Sequence, residues 1–197
     1  MTTIQSLRAE AVDAIVIGAS AGGIDALLQL FDQLPASFSL PIVIVLHLRD
    51  DRDSRLAELF AQRVVLPVRQ AQDKEPVTPG VMYFAAPGYH LSIEQDRSFS
   101  FSNEDPVHFS RPAIDHLMTS AADAYGPRLA GILLTGANED GASGMQSIKQ
   151  AGGITIVQDP NEAQIAVMPQ AAIALCPPDH ILPLKDIRQY LIRLGHA

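Results

Sequence analysis

Three short, almost wholly apolar runs set the strongest limit on how this chain can fold. They are Ala14–Ile17, Pro41–Leu46 and Arg128–Leu134, and each is followed by a segment with apolar residues at helical spacing. Such a run is typical of a strand that is buried on both faces, as in parallel sheets. The alternation therefore predicts an α/β protein with a doubly wound, mostly parallel sheet and helices on both faces.

The middle of the chain departs from this alternation. Pro79-Gly80 and Pro87-Gly88 separate short segments there, and residues 90–94 and 98–102 flank the turn Gln95-Asp96. This pattern predicts an antiparallel hairpin at one edge of the sheet. Because the length of 197 residues suits one domain better than two, we expect a short N-terminal extension, residues 1–13, followed by one domain, residues 14–197.

Charge and composition exclude several classes of partner. The formal net charge is −8 and the sequence holds no cluster of Lys and Arg, so we expect no nucleic acid partner. No segment is apolar for long enough to act as a secretory signal or to span a bilayer, so we expect no membrane insertion. The single cysteine, Cys176, fits a reducing compartment. These features predict a cytoplasmic protein.

The glycine-rich segment Gly18–Gly23, between the first strand and its helix, has two interpretations. It could hold a dinucleotide pyrophosphate at the helix N-terminus, but that site favours glycine where Ser20 stands and an acidic residue where His47 ends the second strand. It also matches the nucleophile elbow Gly-x-Ser-x-Gly, in which a sharp, strained turn lifts the serine above the sheet. The backbone N–H of Ala21 can then face a developing oxyanion. The elbow is the better match.

Two further residues fall at the same edge of the predicted sheet. His47 ends the second strand, and Asp140 follows the third strong strand in a turn bounded by glycines. A histidine can take the serine proton and return it to the leaving group, and a carboxylate can orient that histidine. Glu139 is the nearest rival for the carboxylate, and Asp50 and Asp51 are further ones. The order Ser, His, Asp differs from that of the α/β-hydrolase fold.

Metal and cofactor chemistry have little support in the sequence. The remaining histidines have no ligand-type spacing with one another or with carboxylates, so we expect neither a metal site nor a cofactor. These histidines are His90, His108, His116, His180 and His196.

Taken together, these motifs resemble the catalytic domain of the chemotaxis methylesterase family, CheB. The resemblance runs from about Ala14 to Leu194, and it depends on the joint order and spacing of several modest motifs. They are Gly18–Gly23, Leu46-His47-Leu48, residues 83–88 with His90, Arg111-Pro112 with Asp115, Thr135-Gly136 through Asp140-Gly141, Gln158-Asp159-Pro160 and Met168-Pro169 with Ala172.

The resemblance implies an activity that spacing alone does not. Members of the family hydrolyse glutamate γ-methyl esters on the cytoplasmic helices of chemoreceptors, and many also deamidate glutamines there. By matched position, Ser20 is the nucleophile, His47 the base and Asp140 its orienting partner. The backbone N–H groups of Ala21 and Ala137 are the expected oxyanion donors. The partner is a methyl-accepting chemoreceptor or another methylated signalling protein.

Three departures from the family pattern bear on function. The acidic turn reads Ala137-Asn138-Glu139 where Met-Gly-x is frequent, and Ala21 stands where threonine is common. Residues 1–13 are too few for the phosphorylatable receiver domain that often precedes this domain. We therefore expect either constant activity or control by a separate receiver domain or kinase. The alternative is a non-catalytic module of the same fold that binds a receptor or sensor kinase.

Overall fold

The computed structural model describes residues 11–47 and 55–195. Nine strands are present in these ranges: β1 Ala14–Ala19, β2 Ile42–Leu46, β3 Val68–Gln70, β4 Met82–Phe84, β5 His90–Ile93, β6 Phe99–Ser102, β7 Leu129–Leu133, β8 Ile154–Gln158 and β9 His180–Leu182. The α-helices are α1 Gly23–Phe31, α2 Leu56–Ala61, α3 Ile114–Tyr125, α4 Ala142–Gln150, α5 Val167–Leu175 and α6 Leu184–Leu194.

Seven of the strands form one sheet in the order β3-β4-β2-β1-β7-β8-β9, and every pairing in it is parallel. All residues of β1, β2 and β7 are buried, as their apolar sequences predict. The predicted doubly wound parallel sheet is confirmed. The sequence gives no sign of β3, because Val68-Arg69-Gln70 is a short, partly exposed edge strand without an apolar run.

Helices cover both faces of the sheet because alternate strand residues point to opposite sides. Ile15 and Ile17 of β1 share a core with apolar residues of α1, α2 and α6. Ala14 and Val16 share the opposite core with residues of α3, α4 and α5. The strand order reverses direction at β1, which has β2 on one side and β7 on the other. Open α/β sheets place their ligand crevices at such a point, beyond the carboxyl ends of the strands.

The predicted antiparallel hairpin is present as β5 and β6, which pair from His90↔Ser102 to Ile93↔Phe99. It forms a separate two-stranded sheet instead of extending the edge of the parallel one. The reason is its apolar face, because Leu91, Ile93 and Phe99 are buried in the same core as α3.

The expected boundary after residue 13 stays a prediction, and the described residues next to it contact the domain. Val12 is buried in the core, and Asp13 forms ion pairs with Arg97 and Arg128. The rest of the expected extension, residues 1–10, and the rival carboxylates Asp50 and Asp51 lie outside the described residues.

Candidate active site

Strand register brings Ser20 and His47 to neighbouring positions at the rim of the sheet. Ala19 of β1 is paired with Leu46 of β2, and Ser20 and His47 are the next residue on each strand. The His47 N–H donates to the Ala19 carbonyl at 3.0 Å, so the ladder continues into the histidine. Since neighbouring strands are about 4.8 Å apart, the two side chains start close together.

The turn after β1 is built on glycine, as an elbow requires, but its unusual backbone lies elsewhere than expected. Gly22 has φ 80°, whereas Ser20 is not among the described non-glycine residues with positive φ. The strained nucleophile of the α/β-hydrolase elbow is therefore not reproduced at Ser20. A Cβ on Gly18 would lie 2.3 Å from Cγ2 of Ile114, so glycine there lets α3 pack directly against β1.

Asp140 is fully buried between the end of β7 and the start of α3. Its Oδ2 accepts the Ile114 N–H at 2.7 Å, and its Oδ1 accepts the Asp115 N–H at 2.9 Å. Helix N-termini hold such unpaired N–H groups and favour negative charge. Burial acts to raise the pKa of Asp140, but His47 and these two backbone donors outweigh it, and the pKa is lowered. Asp140 is thus an ionised acceptor at neutral pH.

The two nitrogens of the His47 ring face different partners. Nε2 lies 2.9 Å from Oδ2 of Asp140, although the ring N–H is not aligned well enough to form a regular hydrogen bond. The short distance and the ionised carboxylate still favour the tautomer with the proton on Nε2. Nδ1 then carries the lone pair, and it lies 3.3 Å from Oγ of Ser110. The nitrogen available as a base is therefore Nδ1.

Asp115 is a second aspartate that accepts backbone N–H groups at the start of a helix. Asp115, in the first turn of α3, accepts the N–H groups of Gly141 and Gly144 at the start of α4, at 2.9 and 2.7 Å. Asp140 thus caps α3, the helix that contains Asp115, and Asp115 caps α4, the helix that follows Asp140. Burial raises the pKa of Asp115, and the charge of Asp140 adds to this despite the two backbone donors. The fold therefore favours the charged form of Asp140 but not that of Asp115.

Ser20 and His47 line one cleft of about 420 Å³, together with residues 21–25 and Gln164. Neither the Ala21 nor the Ala137 N–H donates a hydrogen bond to any residue that the structure describes. Ala21 lines the cleft, whereas Ala137 is exposed on the loop after β7 and is not among the described residues that line it. Glu139, the rival carboxylate, is exposed and lies 3.5 Å from His108 instead of beside His47.

Sequence reasoning missed two side chains that contact the site. Ser110 contacts His47 from a loop more than sixty residues away, and no local pattern marks it. Thr135 donates from Oγ1 to the Ala21 carbonyl at 2.9 Å, and the same oxygen accepts the Ile165 N–H. Thr135 lies in a quoted motif, but only its position could be read from the sequence.

The fold and the site together indicate a class of enzyme. A serine turn, and a histidine close to a buried aspartate, lie at the switch point of a parallel sheet, and these groups are compatible with hydrolytic chemistry. Among the residues described, no helix is long and apolar enough to cross a membrane, and no three His, Cys, Asp or Glu side chains are grouped to hold a metal ion.

Comparisons with known proteins narrow the class. The model of the CheB methylesterase family matches residues 15–191. A protein of Leptospira interrogans, provisionally named a protein-glutamate methylesterase/protein-glutamine glutaminase, is 44% identical over 92% of this chain and 94% of its own. Protein-glutamate methylesterase/protein-glutamine glutaminase 2 of Anaeromyxobacter dehalogenans is 40% identical over 95% of this chain and 54% of its own.

A solved structure agrees in fold. The catalytic domain of the Thermotoga maritima CheB methylesterase superposes with a TM-score of 0.88 and 31% identity, over 94% of this chain and all of that domain. The chain belongs to the CheB methylesterase family, and thus to the carboxylic ester hydrolases. The predicted family and enzyme class are confirmed.

Proposed function

We propose that this protein hydrolyses γ-methyl esters of glutamate on a methylated signalling protein, with Ser20 as nucleophile, His47 as base and Asp140 as orienting group. One observation carries the proposal: Nε2 of His47 lies 2.9 Å from the buried, ionised Asp140, while the ring lines the same cleft as Ser20. With Nε2 turned to Asp140, Nδ1 is the ring nitrogen left to accept the proton of Ser20.

In the first half of the reaction, Ser20 Oγ attacks the ester carbonyl and its proton passes to Nδ1 of His47. The imidazolium is stabilised by Asp140. The Ala21 N–H in the cleft is the proposed donor to the oxyanion of the tetrahedral intermediate. Ala137 is not among the described residues that line this cleft, and its role stays a prediction from the sequence. Collapse of the intermediate breaks the C–O bond to the methoxy group, which leaves as methanol with the proton from Nδ1. A glutamyl ester of Ser20 remains.

The second half regenerates the enzyme. Water attacks the acyl carbonyl as Nδ1 of His47 takes its proton, and the second intermediate collapses to release glutamate and Ser20 Oγ, which regains the proton. The same steps on a glutamine side chain would release ammonia in place of methanol. The names of the relatives include both activities.

The partner follows from the family. Because CheB methylesterases act in chemotaxis, we propose a methyl-accepting chemoreceptor, methylated on its cytoplasmic helices, as the substrate. Control by a separate receiver domain or kinase stays a prediction. The alternative of a non-catalytic binding module gains no support from the site, since a binding surface needs no buried carboxylate paired with a histidine.

A methanol-release assay on methylated receptor fragments tests the proposal. We expect Ser20→Ala to lower the rate by several orders of magnitude while the thermal unfolding curve stays close to that of the wild type. Ser37→Ala is the matched control, because Ser37 is exposed in the segment before β2, at the opposite end of the sheet. Turnover by Ser20→Ala at the rate of the control would refute the assignment of the nucleophile.

A further inference from the structure

The loop that contacts His47 also carries the most exposed apolar side chain of the described chain. Val107 and Ser110 close a two-residue turn with hydrogen bonds in both directions, at 3.1 and 2.8 Å. At its tip the side chain of Phe109 is fully exposed. Ser110, the next residue, lies 3.3 Å from the base. Phe109 is thus tethered to the active site while it makes no packing contribution to the core.

The backbone of this turn is unfavourable for the residues that it holds. His108 and Phe109 have φ of 47° and 62°, a conformation for which such turns favour Asn and Gly. A bulky residue with positive φ is an outlier that persists only where the surrounding structure enforces it, and such residues cluster at functional sites. Here the His108 ring, 3.6 Å from Asp115 and 3.5 Å from Glu139, holds the turn in place.

An apolar groove of about 500 Å³ begins at this turn. It is lined by His108 and Glu139, by Ala142 and Ser143 of α4, and by Ala171, Ala174 and Leu175 of α5. Val167 lies on the same face of α5, since positions 167, 171, 174 and 175 have the i, i+4, i+7, i+8 spacing of one helical stripe. Val167 and Leu175 are each 48% exposed. A soluble surface rarely keeps such a stripe uncovered without a partner.

We propose that Phe109 and the stripe on α5 form the docking surface for the substrate helix that carries the methyl ester. This inference rests on the proposed function and names how the substrate is held. Contacts between this surface and the active site support the substrate helix as its occupant. The turn at Phe109 contacts His47 through Ser110, and the loop that leads into α5 contacts the turn at Ser20 through Thr135. An amphipathic helix can lay its apolar face into such a groove, which Ala171 and Ala174 help to line, with Phe109 beside it.

Charge supports an esterified helix in particular. Glu139 stands in the groove wall and is 69% exposed, and Asp25 lies in the Ser20 cleft. These carboxylates repel a helix that carries ionised glutamates, whereas glutamates neutralised by methylation avoid this repulsion. The same charges favour release of the anionic product.

Two measurements test the docking surface separately from the chemistry. The first is the Kd for a methylated receptor fragment, measured by fluorescence anisotropy in the Ser20→Ala background so that no turnover occurs. The second is kcat/KM for that fragment and for a blocked single-residue glutamate γ-methyl ester. The variants are Phe109→Asn and Leu175→Ala. Val65→Ala is the matched control, since Val65 is exposed just before β3, at the end of the sheet away from the site.

We expect Phe109→Asn to weaken Kd by about tenfold or more, as for a central aromatic anchor, with a similar fall in kcat/KM for the fragment. Leu175→Ala should act in the same direction, while kcat/KM for the single-residue ester stays within about twofold. Because Asn tolerates positive φ, Phe109→Asn should also raise Tm by about 2–4 °C. A merely structural Phe109 would instead lower Tm.

The possible results distinguish the docking surface from the proposed chemistry. A Kd for Phe109→Asn equal to that of Val65→Ala would overturn the docking surface, whatever the fate of the ester. Equal losses on the fragment and on the single-residue ester would also overturn it, because they would place Phe109 in the chemistry. Absence of methanol release by the wild type would count against the proposed function alone, since the Kd comparison does not depend on turnover.

Discussion

Asp140→Asn is the substitution on which the structure makes its sharpest statement. The carboxylate is fully buried and accepts two backbone N–H groups at the start of α3, at 2.7 and 2.9 Å. An asparagine keeps one acceptor and turns an NH₂ donor toward the other N–H. Because a hydrogen bond to a charged group contributes about 1.5–3 kcal/mol, the free energy of unfolding should fall by about 2–3 kcal/mol. For a chain of this size, that corresponds to a Tm lower by roughly 4–12 °C.

The effect on turnover should be far larger than the effect on stability. The asparagine NH₂ can donate to Nε2 of His47, which moves the ring proton to Nδ1, the nitrogen that accepts the proton of Ser20 in the proposed mechanism. A base in the wrong tautomer costs on the order of 10⁴ in kcat. Methanol release at saturating substrate, below the unfolding temperature of the variant, measures this loss.

Asp115→Asn is the matched control. Asp115 makes the same kind of cap on α4, at 2.9 and 2.7 Å, but the histidine ring beside it is that of His108, at 3.6 Å, and not that of His47. Burial raises the pKa of Asp115, so its charged form is disfavoured in the folded state, and the neutral amide should cost less stability at pH 7 than at Asp140. We expect kcat to change by less than about tenfold. Equal losses of kcat in the two variants would refute the special role of Asp140.

The pH dependence of stability separates the two aspartates further. The folded-state pKa of Asp140 is lowered, so its carboxylate stabilises the fold above the unfolded-state pKa, and this contribution is lost as the pH falls through the folded value. Urea unfolding should therefore show the gap between wild type and Asp140→Asn closing below about pH 4. Asp115 has the opposite sign, because its raised pKa makes ionisation unfavourable to folding as the pH rises.

Two further substitutions test the supporting contacts. Ser110→Ala removes the hydroxyl that lies 3.3 Å from Nδ1 of His47 and that would compete with Ser20 for this nitrogen in the proposed mechanism. Since one hydrogen bond contributes about 1 kcal/mol net, kcat/KM should rise by up to about fivefold. A fall in the steady-state rate would show that Ser110 orients the ring instead. Thr135→Val keeps the shape of a buried side chain but removes its hydrogen bonds to Ala21 and Ile165. Urea unfolding should show that the free energy of unfolding falls by about 2 kcal/mol. A fall below about 0.5 kcal/mol would contradict this.

The sequence by itself determined the parallel sheet and the edge at which the candidate residues lie. Buried strands need apolar side chains on both faces, so Ala14–Ile17 and Pro41–Leu46 stand out without any knowledge of contacts. Parallel strands end at one rim, and this predicted that Ser20, His47 and Asp140 lie at the same rim. The register of β1 with β2 and β7 shows that the three preceding strands are neighbours. Motif order then predicted the family.

Only the tertiary structure decided how the side chains meet at that rim. Which nitrogen of His47 faces Asp140, the approach of Ser110 to the other, and the mutual capping of α3 and α4 all depend on segments far apart in the chain. The exposure of Phe109 at the tip of its turn and the separate sheet of β5 and β6 likewise follow only from the tertiary structure. Local periodicity specifies an element and its buried face, whereas the orientation of a side chain is fixed by what packs against it, and that information is not local.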